Sequence, residues 1–420
     1  MTRHRTIATA AVAVALLASA CSQGSATRSA TGEDGKVTLR YFTFSAAPDH
    51  LKDLETIEKA FEKENPKVDV VVETSPFDEY FTKLQTSIAG GTAPDTFELN
   101  YENFVTYADS GTLLDLGAAG AGDDTSVYSP ASLDAFKHGG KQYALPASFS
   151  TVVLFYNKDL FDKAGVAPPT ADWTWAEEQE AARKLTDKKN GVYGDFQPVT
   201  FFEFYKTLKQ AGGEFLSADG KKAAFDSPQG LKAARWLVDK VGTTMPTEAE
   251  IGGTADYDTN LFKSGKLAMW HNGIWQFAGL KDVPFEWDVV VEPGDASKAS
   301  AVFYNAVAAS ATTRHGKEAY AWARFLSASD VAATTRIASS WELPPVSDQQ
   351  VLSGYLKDPK PANRQAVFDS LESIALPPVV KRQQEMQDVV TEQLGEAVAG
   401  RVAVEEALKT AAADVDALLS

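Results

Sequence analysis

Between residues 37 and 99 the spacing of apolar side chains switches period four times, and this alternation constrains the fold more than any other feature of the chain. Residues 37–44 alternate with period two, as a strand does. Leu51, Leu54, Ile57 and Phe61 then share one helical face, and Asn65-Pro66 stops that helix. Residues 68–72 form a second strand. Phe77, Phe81, Leu84 and Ile88 stripe a second helix ended by Gly90-Gly91, and residues 96–99 form a third strand. Strands and helices in this rhythm build a parallel, doubly wound sheet, because each crossover helix must bury its stripe on a sheet face. Ligands of such sheets sit beyond the carboxyl ends of the strands. That rule points to Phe44 and Ser45 after the first strand and to Glu98, Asn100, Tyr101 and Asn103 after the third.

A chain of 420 residues exceeds one ordinary core, so two domains are expected. The stretch 140–175 reads as the crossing between them. Gly139, Gly140 and Pro146-Ala147-Ser148 precede a short run of branched and aromatic residues at 152–156, which reads as a buried strand. A short helix follows at 160–164. Gly165 can cap it in the left-handed conformation, and Pro168-Pro169 prevents it resuming. Thr174-Trp175-Ala176-Glu177 fits a capping box that opens the next helix. A second α/β region carries helices near 175–185, 201–210 and 231–241 and strands near 267–270 and 287–291. Residues 301–309 read as a strand returning to the first body, with a helix at 317–327. Leu343-Pro344-Pro345 marks another crossing, and the Ala-rich tail at 379–419 is helical.

Composition removes several kinds of function. A net charge of −17 argues against nucleic acid and anionic lipid as partners. There is no P-loop and no nucleophile elbow, and Gly117 to Gly122 reads as a loop. The five histidines never pair at metal-ligand spacing, and no calcium loop is present, so no metal or cofactor is expected. With 57 acidic residues, counting cannot exclude a glycosidase pair, and Glu98 with Glu342 could be imagined as acid and base.

The only cysteine, Cys21, follows a basic start at Arg3, His4 and Arg5 and an apolar run at 7–20. This is a secretory leader, short for a transmembrane helix. Leu17-Ala18-Ser19-Ala20-Cys21 resembles a lipobox, although Ala18 stands where Leu is usual. Removal of residues 1–20, with Arg3 and Arg5, takes the charge to −19. Residues 21–36 then form a flexible tether of Ser, Thr, Gly and Ala.

Four ordered stretches resemble one family. They are Phe61-Glu62-Lys63-Glu64-Asn65-Pro66, Gly90-Gly91-Thr92-Ala93-Pro94-Asp95, the crossing (Gly140-Lys141-Gln142-Tyr143, Leu145-Pro146, Tyr156-Asn157-Lys158-Asp159-Leu160-Phe161, Trp173-Thr174-Trp175), and Gly265-Lys266-Leu267-Ala268-Met269-Trp270 with Gly273-Ile274-Trp275. Together they resemble the bacterial extracellular solute-binding proteins of the carbohydrate type, which serve ABC importers. The resemblance implies an α/β, periplasmic-binding-protein-like fold of two doubly wound lobes joined by a hinge. The lobes would be 37–147 plus 303–338 and 148–302 plus 339–420. It implies a monomer that is no enzyme, held at the outer face of the cell membrane by lipid on Cys21, closing on a sugar and presenting it to the permease.

A sugar offers an apolar C–H face and a hydroxyl rim, which suit aromatic stacking and planar polar groups. Trp275, just after Asn272-Gly273, matches a stacking position of the family, and Gly273 would permit close backbone approach. Trp341 with Glu342 is the second candidate. Phe149, Ser150, Tyr304 and Asn305 fall at crossings, and Gln197 and Phe201 could face the cleft from the second lobe. Trp236 and Trp322 lie on apolar helix stripes and are expected in cores; Trp173 and Trp175 pack beside a cap. Two alternatives stay open: a binder of another solute (polyamine, peptide or metal complex), for which Glu98, Glu102 and Glu342 could supply charge, and a cell-surface glycosidase. The anchoring expectation is directly testable. Cys21→Ser should yield protein without lipid at its N-terminus, whereas a free, unmodified N-terminal thiol on wild-type mature protein, read by mass spectrometry, would disprove anchoring.

Overall fold

A computed structural model describes residues 35–254, 256–346 and 349–420. Cys21, the leader and nearly all of the tether lie outside the described residues. The first elements fold as their periodicity requires: β1 (Val37–Thr43), α1 (Pro48–Glu64), β2 (Val68–Thr74), α2 (Phe77–Ala89) and β3 (Thr96–Asn100), with α3 (Tyr101–Asp109) leaving directly from β3. β1 lies between β2 and β3 and runs parallel to both. The ends of β1 and β3 therefore flank a topological switch point, where helices depart to either side and leave a crevice.

The chain then changes lobe on a strand. β4 (Ala144–Asn157) is one continuous strand of 14 residues. The sequence reading divided it, placing a crossing at Gly139-Gly140 and Pro146-Ala147-Ser148. Gly139 and Gly140, with φ of 55° and 79°, instead form the tip of a small hairpin in which His138 pairs with Lys141. At Pro146, which has no N–H to donate, the pairing register shifts within β4 before it resumes at Ser148. α4 (Lys158–Ala164) follows, started by the Asn157 side chain and closed by Gly165 at φ 65°. α5 (Trp175–Leu185) opens on the expected capping box of Thr174 and Glu177. α6 (Phe201–Gln210), α7 (Pro228–Val238), α8 (Tyr257–Lys263), β5 (Met269–Gly273) and β6 (Trp287–Val290) complete the second lobe's middle. β7 (Ser300–Ala309) returns to the first lobe, followed by α9 (Gly316–Ala328) and α10 (Asp330–Ser339). The tail is two helices, α11 (Gln383–Val398) and α12 (Val404–Leu419).

β4 and β7 tie the lobes together. Residues 144–151 of β4 pair antiparallel with β7, which pairs on its other side with β3. Residues 154–156 of β4 lie between β5 and β6. A third passage joins at Leu343, which exchanges backbone hydrogen bonds with Phe149 of 2.9 and 3.0 Å. Three stretches of chain thus run side by side between the lobes. No helix among the described residues is long and apolar enough to cross a membrane.

Trp322 is fully buried, with Tyr41 and Phe61 edge-on at 5.6 and 5.2 Å. Trp236 departs from its expected core place: it is half-buried and stacks on Trp175 at 4.6 Å. Trp322→Ala should therefore cost about 3–5 kcal/mol of fold stability by denaturant unfolding.

Candidate functional site

The floor of the crevice is built on β3 and β7. Glu98 lies opposite Val307 in that pairing and is buried. Its carboxylate accepts hydrogen bonds from the Thr43 and Ser45 hydroxyls, and its carbonyl accepts one from Tyr80. Burial pushes the Glu98 carboxyl up to about 7, and the charge of Glu342 adds to the shift. Glu342, also raised by burial, accepts from Ser148, from Asn305 at 3.3 Å and from Arg336 at 3.5 Å. Ser45, Glu98, Asn305 and Glu342, all named from the sequence, are thus brought together. Their partners Thr43, Ser148 and Arg336 were missed. Both carboxylates are engaged by protein groups rather than displayed as an acid and a base.

Asn100 and Asn103 serve the helix start. Asn100 Oδ1 accepts from the Asn103 backbone N–H at 3.3 Å and from its side chain at 3.0 Å, satisfying the first turn of α3. Asn100 Nδ2 donates to Glu102 Oε1 at 2.6 Å. Glu102 Oε2 is buried without a hydrogen-bond partner among the described residues, and burial pushes this carboxyl up to about 7.

A chain of rings crosses from one lobe to the other. Phe44 meets Phe77 at 5.3 Å, Phe77 meets Phe202 at 5.9 Å, Phe202 meets Phe303 at 5.9 Å, and Phe303 meets Trp275 at 5.7 Å. Phe77 is exposed and the other four are half-buried, as are Tyr101, Phe149 and Tyr304; the last two rings lie 6.2 Å apart. Trp275 sits in a 3-10 turn at Ile274–Gln276. It packs against apolar clusters of both lobes. Gly273 makes room for this ring rather than for a ligand's approach: a Cβ there would lie 1.9 Å from the indole. Phe77, Phe202 and Phe303 were not identified from sequence. Their signal is faint, since each stands beside another aromatic or in a stripe that reads as core.

Three expected ligand contacts are corrected. Phe201 is fully buried, because the first turn of α6 directs it into the second lobe's core while Phe202 faces out. Gln197 is buried with both ends of its amide engaged: Oε1 accepts from Trp236 Nε1 at 3.0 Å and Lys240 Nζ at 2.8 Å, and Nε2 donates to Glu203 at 2.7 Å. Trp341 is 2% exposed, stacked on the His50 ring at 4.6 Å with the Arg336 guanidinium 4.1 Å from its centroid. No face of it is open for stacking.

Other polar groups have unmet hydrogen bonds at the lobe junction. α11 and the segment leading into it touch both lobes: Thr106 Oγ1 donates to the Lys381 carbonyl at 3.0 Å, and the Phe201 N–H donates to Thr391 Oγ1 at 3.1 Å. Gln383 and Gln387 lie one turn apart on α11, and Tyr205 lies one turn beyond Phe201. Gln383 Nε2, Gln387 Nε2, Tyr205 OH and Ser150 Oγ are buried without partners among the described residues. Two groups could in principle hold a metal ion, Glu178 with Asp195 and His271, and Glu203 with His271 and Glu292. Ammonium groups already stand there: Lys240 contacts Glu178 at 2.9 Å and Asp195 at 2.6 Å, and Lys206 contacts Glu203 and Glu292 at 2.6 Å.

Residues 49–333 match the family described as bacterial extracellular solute-binding protein. The chain belongs to that family. An ABC substrate-binding protein from Listeria monocytogenes, solved with cycloalternan, is 43% identical, superposes with a TM-score of 0.88 and covers 91% of this chain and 98% of its own. A solute-binding protein from Thermotoga lettingae bound to α-D-tagatose is 27% identical, with a TM-score of 0.82, covering 91% and 100%. The maltodextrin-binding protein of Bacillus subtilis is 24% identical, covering 68% of this chain and 67% of its own. The two-lobed fold and the carbohydrate-type family read from the four motifs both stand.

The buried Glu98 gives a signed pH prediction. A carboxyl raised above its unfolded value stabilises the fold fully at low pH, and that contribution is lost as pH rises from about 4.3 through about 7. Glu98→Gln should therefore flatten the decline in stability across this window in denaturant melts at several pH values. An unchanged slope would place Glu98's titration elsewhere.

Proposed function

We propose that this solute-binding protein captures a sugar or oligosaccharide between its lobes and delivers it to an ABC permease. The observation that carries this reading is the chain of partly exposed rings from Phe44 through Phe77, Phe202 and Phe303 to Trp275, which spans both lobes. Ring faces stack on the C–H faces of pyranoses. Beside them, the unmet groups of Ser150, Glu102, Tyr205, Gln383 and Gln387 mix donors and acceptors, as a hydroxyl rim requires. Relatives that bind cycloalternan, tagatose and maltodextrin support the same class.

The lobes of this reading are 37–147 plus 303–338 and 148–302 plus 339–420, a division that the pairings at Phe149, Tyr304 and Leu343 support. Ligand that touches both lobes only when they meet shifts the population toward the closed state. The protein acts as a monomer on the outer face of the membrane, anchored through Cys21, and performs no catalysis. The corresponding carboxylates, Glu98 and Glu342, are occupied by internal hydrogen bonds, which favours binding over hydrolysis.

Calorimetric titration of mono- and oligosaccharides tests the class: saturable binding of at least one sugar, with a smaller radius of gyration by solution scattering, is the expected result. Trp275→Ala should weaken that binding by about 1 kcal/mol or more while leaving unfolding nearly normal. Normal affinity with about 3–5 kcal/mol of lost stability would make Trp275 a core residue.

A further inference from the structure

Seven buried side chains of the second lobe close into a ring of hydrogen bonds. Gln197 Nε2 donates to Glu203 Oε2 at 2.7 Å. Lys206 Nζ lies 2.6 Å from that oxygen and 2.6 Å from Glu292 Oε1. His271 Nδ1 is 2.7 Å from the same Glu292 oxygen, and His271 Nε2 is 3.0 Å from Glu178 Oε1. Lys240 Nζ donates to Glu178 Oε1 at 2.9 Å and back to Gln197 Oε1 at 2.8 Å. The members come from α5, the segment before α6, α6, β5 and the segments after α7 and β6. Asp195 adds a contact to Lys240 at 2.6 Å and to His271 at 3.5 Å.

The geometry assigns the proton. Both nitrogens of His271 face carboxylate oxygens, and a neutral imidazole has one N–H, so it would set a lone pair against a carboxylate. With an imidazolium, Glu178, Glu203 and Glu292 are matched one for one by Lys206, Lys240 and His271, and the fourth acid of the cluster, Asp195, is pushed up by burial. Positive charge is thus supplied by protein groups at contact distance, in place of a metal ion.

β5 carries this ring on one face only. Successive strand residues point to opposite faces, so Trp270 and Asn272 face the other way. There Asp258 accepts from Trp270 Nε1 at 2.9 Å and from Asn272 Nδ2 at 3.3 Å. The Gly273 N–H then donates to Asn272 Oδ1 at 2.7 Å, and the Trp275 indole folds over Gly273. The strand end is therefore clamped on both faces immediately before the turn that bears Trp275.

We propose that His271, as an imidazolium inside this ring, is the positioning residue that sets the orientation of Trp275 for ligand contact. The ligand role of Trp275 rests on the sugar-binding reading; the setting of its orientation does not. Burial alone would lower the His271 pKa, but the charge of Glu178 and the hydrogen bonds to Glu178 and Glu292 lift it to about 9. The contribution of the ring is complete below the ordinary histidine value of about 6.5 and is lost as pH rises through about 9. The groups facing His271 are Glu178, Asp195 and Glu292, with Lys206, Lys240 and Glu203 behind them.

The test follows the indole N–H resonance of Trp275 in ligand-free protein, assigned by its loss in Trp275→Phe, between about pH 7 and 10. In wild type it should move with a midpoint near 9. His271→Gln should abolish that movement, and Glu292→Gln, which removes one facing carboxylate, should lower the midpoint; either variant serves if the other fails to fold. With maltotriose as probe, His271→Gln should weaken binding about tenfold, the size of one aromatic stacking contact. A Trp275 resonance that stays fixed in wild type, or one that still titrates with the same midpoint in the variants, overturns the proposal. Stoichiometric Zn2+ binding that abolishes the titration also overturns it, since the ring would then be a metal centre. If maltotriose and other sugars bind no variant while Trp275 still titrates through His271, the sugar reading fails and the positioning of Trp275 by His271 stands.

Discussion

The antiparallel pairing of β4 with β7 is the constraint on which the rest of the structure depends. These two strands run from one lobe into the other, so each lobe's sheet is completed by chain that also belongs to its neighbour. A backbone ladder transmits twist but resists separation, because each lost pair would expose an N–H and a C=O. The closure proposed above would therefore turn on the passages at Phe149, Tyr304 and Leu343. The polar floor sits at this level: Ser148 and Asn305, which contact Glu342, lie on β4 and β7 themselves. Contacts made there sense the angle between the lobes.

The lobes meet the cost of buried charge in different ways. An isolated ion in a protein interior costs several kcal/mol unless it is paired. In the first lobe burial, helped by the charge of Glu342, pushes the Glu98 carboxyl up to about 7, against the opposing pull of the Thr43 and Ser45 hydroxyls and of Arg336. The second lobe matches carboxylates with ammonium groups and an imidazolium. Lys240 and His271 outweigh the effect of burial on Glu178 and hold that carboxyl down to about 2. A floor near its titration point can exchange hydrogen bonds with hydroxyls, whereas the ring's carboxylates are already engaged by Lys206, Lys240 and His271. The lobe that holds the ring also bears Trp275, and the carboxylate floor lies at the junction.

Aromatic side chains divide by a single turn or a single strand position. Phe201 is core and its neighbour Phe202 joins the cross-lobe chain of rings. Trp341 is sealed by His50 and Arg336, while Trp275 stays half-open because Gly273 leaves space for its indole. Composition cannot separate these cases, since all four residues sit beside predicted strand or helix ends. The distinction arises from which face of each element the rest of the molecule covers.

The sequence by itself determined what depends on neighbours along the chain. Period-two and helical stripes placed β1 through β3, Thr174 with Glu177 placed the start of α5, and Gly165 placed the end of α4. Strand ends then located Ser45 and Glu98 near the crevice, because doubly wound sheets open only there, and a crossing located Asn305. Only the tertiary structure decided what depends on meetings between distant segments. Glu178, Lys206, Lys240, His271 and Glu292 lie far apart in sequence, and no local spacing announces their ring. Gln197 and Trp341 were misread for the same reason: their partners arrive from α6, α7, α1 and α10, and a hydrogen bond or stacked ring formed across such distances leaves no periodic mark on the chain.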